Sequence, residues 1–172
     1  MAHLFRTVLV VLGLCALALP AAAQDDPDLI FKKSTIFRLL SPDAKLAVYA
    51  IDDPAVEGVA CHFTLPEIGG WKGWAGFAEE SSDASLACRQ VGPIKFKEKI
   101  DQGELAFRQR RSLFFKKVQI VRGCDAKRNV LVYLIYTDKM IDGSPQNSTS
   151  TVPIMPWGTA TDVPRCGDFL KG

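Results

Sequence analysis

The sequence is short of the residues from which most catalytic and metal sites are built. Of its 172 residues only two are histidine, His3 and His62. His3 falls in a stretch read below as a removable leader, so a multi-histidine metal centre is excluded. Any Ser-His-Asp or Cys-His site then has to use His62. No Cys-x-x-Cys pair occurs, which removes thioredoxin-type redox chemistry, and no cysteine spacing matches a zinc ribbon or zinc finger. A phosphate-binding loop, a nucleophile elbow and a dinucleotide fingerprint are all missing. So are internal repeats and low-complexity segments. An excess of one charge is missing too: the formal net charge is +2, which gives no basis for bulk binding to nucleic acid or anionic lipid. Nothing in the composition calls for a cofactor or a metal.

Long apolar runs are confined to the N-terminus. Arg6 supplies a positive charge, Val8 to Leu19 is unbroken and small-to-apolar, and Pro20 ends the run before Ala21-Ala22-Ala23. From Val8 to Ala23 there are 16 residues, whereas a spanning helix needs about 20. The pattern is that of a secretory signal, with cleavage expected between Ala23 and Gln24. A lipidated Cys15 would need a small residue before it, and Leu14 stands there. Cleavage leaves 149 of the 172 residues, one domain without a membrane anchor, and loss of Arg6 brings the net charge to +1. The expected location is the periplasm, where thiols become disulfides.

Four cysteines remain: Cys61, Cys88, Cys124 and Cys166. Four cysteines allow three pairings. Cys61 and Cys88 both sit in strand-like segments, so the preferred set is Cys61–Cys88 with Cys124–Cys166. Closing the first loop is worth roughly 3.5 kcal/mol and the second about 4 kcal/mol in the chain-entropy model. The second bridge would also tie down a tail that otherwise has little to hold it.

The remaining pattern is mainly β, an antiparallel sandwich or curled sheet with one or two short helices, in a single domain. Val59, Cys61, Phe63 and Leu65 alternate with Ala60, His62 and Thr64, as a half-buried strand requires. Ile30–Leu40, Lys45–Ile51, Ala84–Val91, Leu113–Arg122 and Val130–Thr137 are further strands. The 45–51 and 130–137 segments are apolar on both faces, which predicts burial on both. Cys124 to Asn129 is a polar turn joining a hairpin. Gly92-Pro93 opens a short helix expected over Ile94–Gln102, with Gly103 as its stop. Val152 to Trp157 is extended, because each proline disfavours helix before it.

Several residues invite a functional reading. His62 with a carboxylate such as Asp52 is the one arrangement open to a hydrolase or transferase, yet a half-exposed strand histidine is ordinarily structural. Asp52-Asp53-Pro54 reads first as turn chemistry, with an aspartate accepting backbone amides. Glu79, Glu80 and Asp83 suit helix capping or, without EF-hand spacing, a calcium site. Trp71 and Trp74 lie among glycines, as a lid over the core or as a surface that stacks on sugar or touches lipid. Arg108 and Arg110 share a strand face near Lys116 and Lys117, an anion site or a solvated edge. Asn147-Ser148-Thr149 matches a glycosylation sequon. Charge is segregated along the chain. Eight acids against two bases fill 43–83, and eleven bases against four acids fill 95–128. The two stretches either form a dipole that orients a charged partner or face each other and neutralise.

Six strings occur in order: Asp52-Asp53-Pro54, Ser82-Asp83-Ala84, Cys88-x-Gln90-Val91-Gly92-Pro93-Ile94, Asp125-Ala126-Lys127-Arg128-Asn129, Gly143-Ser144-Pro145 and Val152-Pro153-Ile154-Met155-Pro156-Trp157. In these, from about Ile30 to Trp157, the chain resembles the CreA family of bacterial exported proteins. The resemblance implies a periplasmic protein. The family takes its name from a catabolite-regulation locus, so the resemblance brings no catalytic residues with it and links to carbon-catabolite regulation by name only. Cys61 and Cys88 match the family pattern. Trp71, Trp74, Cys124 and the extension 158–172 with Cys166 depart from it. The expected function is a small periplasmic binding or envelope-support protein, with a small ligand or a periplasmic protein as partner.

Overall fold

Alternation of apolar and polar residues dictates the architecture. In a computed structural model, which describes residues 26–34, 44–68, 84–110, 117–137 and 146–172, the chain forms eight strands and one helical turn. They are β1 (Asp28–Ser34), β2 (Ala44–Asp52), β3 (Val56–Ile68), β4 (Ser85–Phe96), β5 (Glu104–Arg110), β6 (Lys117–Asp125), β7 (Val130–Thr137), β8 (Asn147–Pro153) and a 3-10 turn at Cys166–Phe169. All the strand pairs are antiparallel. β1 to β4 make one four-stranded sheet and β5 to β8 a second, each in chain order. The expected leader with its expected cleavage point at Ala23 and Gln24, and the residues Trp71, Trp74, Glu79, Glu80 and Asp83, lie outside the described residues.

The two sheets share one core. Ala47 and Tyr49 of β2, Val59, Cys61, Phe63 and Leu65 of β3 and Cys88 of β4 bury one face of the first sheet. Val118 and Ile120 of β6, Leu131, Tyr133 and Ile135 of β7 and Val152 of β8 do so for the second. The rings of Phe63 and Phe107 meet across the layers at 5.6 Å. Burying one such phenylalanine is worth about 1.5–3 kcal/mol. β4 and β8 lie side by side, where the Cys88 amide donates to Ser150 Oγ at 2.8 Å.

Two expectations are corrected. Ile94–Gln102 is not a helix. Ile94 and Phe96 complete β4 as buried strand residues, and Ile100 is a buried bridge to Leu170. Pro93 is accommodated because the β3–β4 register slips between Glu57↔Lys95 and Val59↔Gln90, so that Gly58 alone faces residues 91–94. A proline cannot donate to a ladder, and a bulge is where strands tolerate one. Gly58 sits at φ +83°, and a Cβ there would lie 2.4 Å from the Pro93 carbonyl oxygen. The expected burial of β2 and β7 on both faces is the second correction. Val48 and Ala50, and likewise Val130, Val132, Leu134 and Tyr136, are only half-buried. Each sheet has its core on one side, as two-layer packing requires. β1 runs over Asp28–Ser34 with all seven residues exposed, and the rest of the expected Ile30–Leu40 strand lies outside the described residues.

Two glutamines stand in for backbone where the ladders fail. Gln90 Nε2 donates to the Gly92 and Met155 carbonyls at 3.0 and 2.9 Å, and its Oε1 accepts the Met155 amide at 3.0 Å. Gln102 likewise donates to the Cys124 carbonyl at 2.8 Å and accepts the Cys124 amide at 2.9 Å.

Two cysteine pairs stand at disulfide distance. Cys61 and Cys88 are directly opposite each other on β3 and β4, with sulfurs 2.04 Å apart. Cys124 of β6 joins Cys166, at 2.02 Å, and both are buried. The tail has more to hold it than this bridge. Phe169 stacks on Phe96 at 4.3 Å, and the Ile100 amide and carbonyl bond to Phe169 and Lys171 at 2.8 and 3.0 Å. The Asn129 side chain donates to the Pro164 carbonyl at 3.0 Å and accepts the Cys166 amide at 2.8 Å.

Candidate functional site

The most connected polar side chain of the described residues is Asp53, in the turn between β2 and β3. Its Oδ1 accepts the amides of Ala55 and Val56 at 2.9 and 3.0 Å, the turn chemistry that Asp-Pro sequences favour. The same oxygen accepts from an Arg122 guanidinium nitrogen, and Oδ2 accepts the Tyr133 hydroxyl at 2.6 Å. Arg122 also donates to Glu104 at 3.0 Å. Asp53, Arg122 and Tyr133 are 4%, 2% and 1% exposed. The network therefore clamps a turn of the first sheet to β6 and β7 of the second.

Its electrostatics follow from burial. Burial raises the Tyr133 hydroxyl pKa above the usual tyrosine value, and the neighbouring Asp53 charge raises it further. Burial alone would lower the Arg122 pKa, but the charge and hydrogen bond of Asp53, with smaller contributions from Tyr133 and the Glu104 hydrogen bond, outweigh it and the guanidinium is held above its usual value. A buried ion pair of this kind adds little net stability over an apolar replacement, yet losing one partner strands the other and costs about 3–5 kcal/mol. Both oxygens of Asp53 are committed to the clamp. Its role is positional.

What it positions is a cleft of about 440 Å³ at the end of β2. Asp26, Asp28 and Asp52 line it with Lys97, and Ile51 and Phe107 give it apolar walls. The volume lies within the range of small-ligand sites. Three exposed carboxylates against one ammonium give the cleft a negative field.

The other sequence candidates fall elsewhere. His62 is exposed and lies opposite Ala50, while Asp52 lies opposite Ala60. The two share the outward face of β2 and β3 at diagonal positions, and no hydrogen bond joins them. His62 does not line the cleft. No group of three or more His, Cys, Asp or Glu among the described residues is placed to hold a metal ion. Arg108 spends its guanidinium on Gln119 Oε1, at 3.2 and 2.9 Å. The side chains of Arg110 and Lys117, and Lys116 altogether, lie outside the described residues. Asn147, the sequon residue, opens β8 and is exposed. The acidic and basic stretches meet at Asp53–Arg122, across the sheets. No helix among the described residues is long and apolar enough to cross a membrane.

Sequence reasoning placed Asp53 in a turn but missed Arg122 and Tyr133. A signal was present: Val118, Ile120, Arg122 and Cys124 alternate at one parity, so Arg122 stands at an inward position. An inward arginine demands an acid.

Comparison with known proteins bears on the whole fold. The family model described as CreA protein matches residues 30–157. Protein CreA of Escherichia coli strain K12 is 50% identical over 127 residues, covering 72% of this chain and 81% of that protein. Protein CreA of the O6:H1 and O157:H7 strains matches to the same extent. No solved structure matches the chain. The match takes in Asp53, Glu104, Arg122 and Tyr133 as well as Cys61, Cys88 and Cys124, and stops short of the tail with Cys166: the chain belongs to the CreA family.

Proposed function

We propose that the protein is an exported periplasmic binding module without catalytic activity, and that its ligand or partner segment carries a positive charge on an apolar body. The observation that carries this reading is the cleft beside Asp53. Its carboxylates flank apolar walls, and Asp52 adjoins the turn that the buried clamp fixes. A site held in advance spends less of its contact energy on ordering. The two buried disulfides support a location outside the cytosol, because such bridges persist in oxidising compartments. The leader-like N-terminus supports the same location. Support of the cell envelope through a protein partner uses the same cleft and the same charge logic.

The test is calorimetric titration of the protein with putrescine, arginine and a lysine-containing hydrophobic peptide, with phosphate as the anionic control. The expected result is saturable binding of a cation that weakens at least several-fold in Asp26→Asn/Asp52→Asn and is unchanged in His62→Ala. Equal binding by the double variant, or no binding of any cation, contradicts the reading.

A further inference from the structure

β1 is an unusual edge. All seven of its residues are exposed, and Leu29, Ile30 and Phe31 are 50%, 52% and 55% exposed. β2 lies on one side of it, and no strand among the described residues lies on the other. An apolar edge of this kind is a template for another strand. Its charges indicate which strand. Asp28 opens β1 and Lys33 stands near its close, and the side chain of neither has an ionic or hydrogen-bonding partner among the described residues. Lys32 differs, because Glu67 holds it at 2.7 Å.

The register supplies the symmetry. Asp28, Phe31 and Lys33 lie opposite Ala50, Val48 and Leu46, on one face of the sheet. Leu29 and Lys32 lie opposite Tyr49 and Ala47, on the other. Ile30 is the extra residue of a bulge. Bulges on edges commonly discourage pairing. Here the bulge has another consequence: strict alternation would put Asp28 and Lys33 on opposite faces, and the extra residue brings them to the same one. With Ile30 set aside, Asp28 and Lys33 stand two positions to either side of Phe31. A strand with an acid and a base placed symmetrically about an apolar centre is complementary to itself when run antiparallel.

We propose that β1 pairs antiparallel with β1 of a second copy of this chain, about a two-fold axis at Phe31. The arrangement is isologous, as a two-fold dimer requires. Phe31 meets its counterpart on the axis, and Asp28 of each copy meets Lys33 of the other on the same face. Leu29 lies against the aliphatic stem of Lys32. The two four-stranded sheets become one continuous sheet of eight. Seven residues per strand make a small contact, so the dimer is weak and concentration-dependent.

The experiment is sedimentation velocity at low salt on protein purified from cells expressing the full chain, from about 1 to 300 µM. A reversible monomer–dimer equilibrium is expected. Asp28→Lys or Lys33→Asp alone should weaken it about tenfold, because attraction becomes repulsion at two symmetric positions. The double variant Asp28→Lys/Lys33→Asp should restore it. Phe31→Cys should form a disulfide-linked dimer on mild oxidation, and Lys33→Cys should not. A chain that stays monomeric throughout, single charge variants that dimerise as the parent does, or equal crosslinking at both cysteines each overturn the proposal. Asp28 also lines the cleft, but sedimentation is read without any cation and the cleft is tested through Asp26 and Asp52, so the two failures are distinguishable.

Discussion

Two ties join the sheets within two residues of each other on β6, and they are made of opposite materials. At Arg122 the tie is a buried polar clamp to Asp53, Tyr133 and Glu104. At Cys124 it is a covalent and apolar strap, in which the tail bonds through Cys166 to the second sheet and stacks Phe169 on Phe96 of the first. The clamp lies wholly within the stretch that matches the family, whereas the strap draws on residues 158–172 beyond it. The comparison teaches that the same mechanical task admits two kinds of failure. A clamp of charges fails as a unit, because each partner left behind is a buried unpaired group. A strap of stacked rings, backbone bonds and one bridge fails by degrees.

The sharpest way to break the comparison is at the clamp. Asp53→Ala should cost about 3–5 kcal/mol in urea unfolding, and Asp53→Ala/Arg122→Met should be less damaging than the single change, since it leaves no buried charge unpaired. If the double variant is no better than the single one, the clamp does not fail as a unit. The strap comes next. Cys124→Ser/Cys166→Ser should cost about 2–4 kcal/mol, and limited proteolysis should then cut within 158–172 before the body unfolds. Simultaneous loss of tail and body would show that the strap, too, is cooperative.

The smallest effect sharpens the electrostatic side. Tyr133→Phe should cost about 1–2 kcal/mol at neutral pH. Tyr133 has its pKa raised in the fold, so the folded state holds this proton more tightly than the unfolded chain does. Its contribution is complete below the unfolded tyrosine value of about 10 and is lost as pH rises above it. The stability gap between parent and Tyr133→Phe should therefore narrow in alkali. In an ultraviolet titration, Tyr133 should stay protonated until the protein unfolds. A gap that widens above pH 10 contradicts the assignment.

These partners mark the limit of what the sequence disclosed. Apolar patterning, alternating in Val59–Leu65 and two-faced in Val130–Thr137, located strands because a two-layer β protein buries at least every second residue. It overstated burial in β2 and β7, because apolar residues on an outer face look the same as core residues in a one-dimensional pattern. Gly92-Pro93 suggested a helix start, since a proline's fixed φ serves both a first helical turn and a bulged strand; only the facing Gly58 decides between them. Of the site, Asp53 was legible as a turn residue through local chemistry. Its meeting with Arg122 and Tyr133 was not, because those contacts span 69 and 80 positions and depend on how the sheets stack.

The proposal with the widest reach is that this fold is completed outside the cytosol, with its leader removed and its sulfurs joined. Intact mass of the protein recovered from the periplasm, before and after reduction under denaturing conditions, tests it most directly. The account predicts a chain beginning at Gln24 whose mass rises by about four hydrogens on reduction, as two disulfides require. A full-length chain in the cytoplasm whose mass does not change on reduction would contradict it.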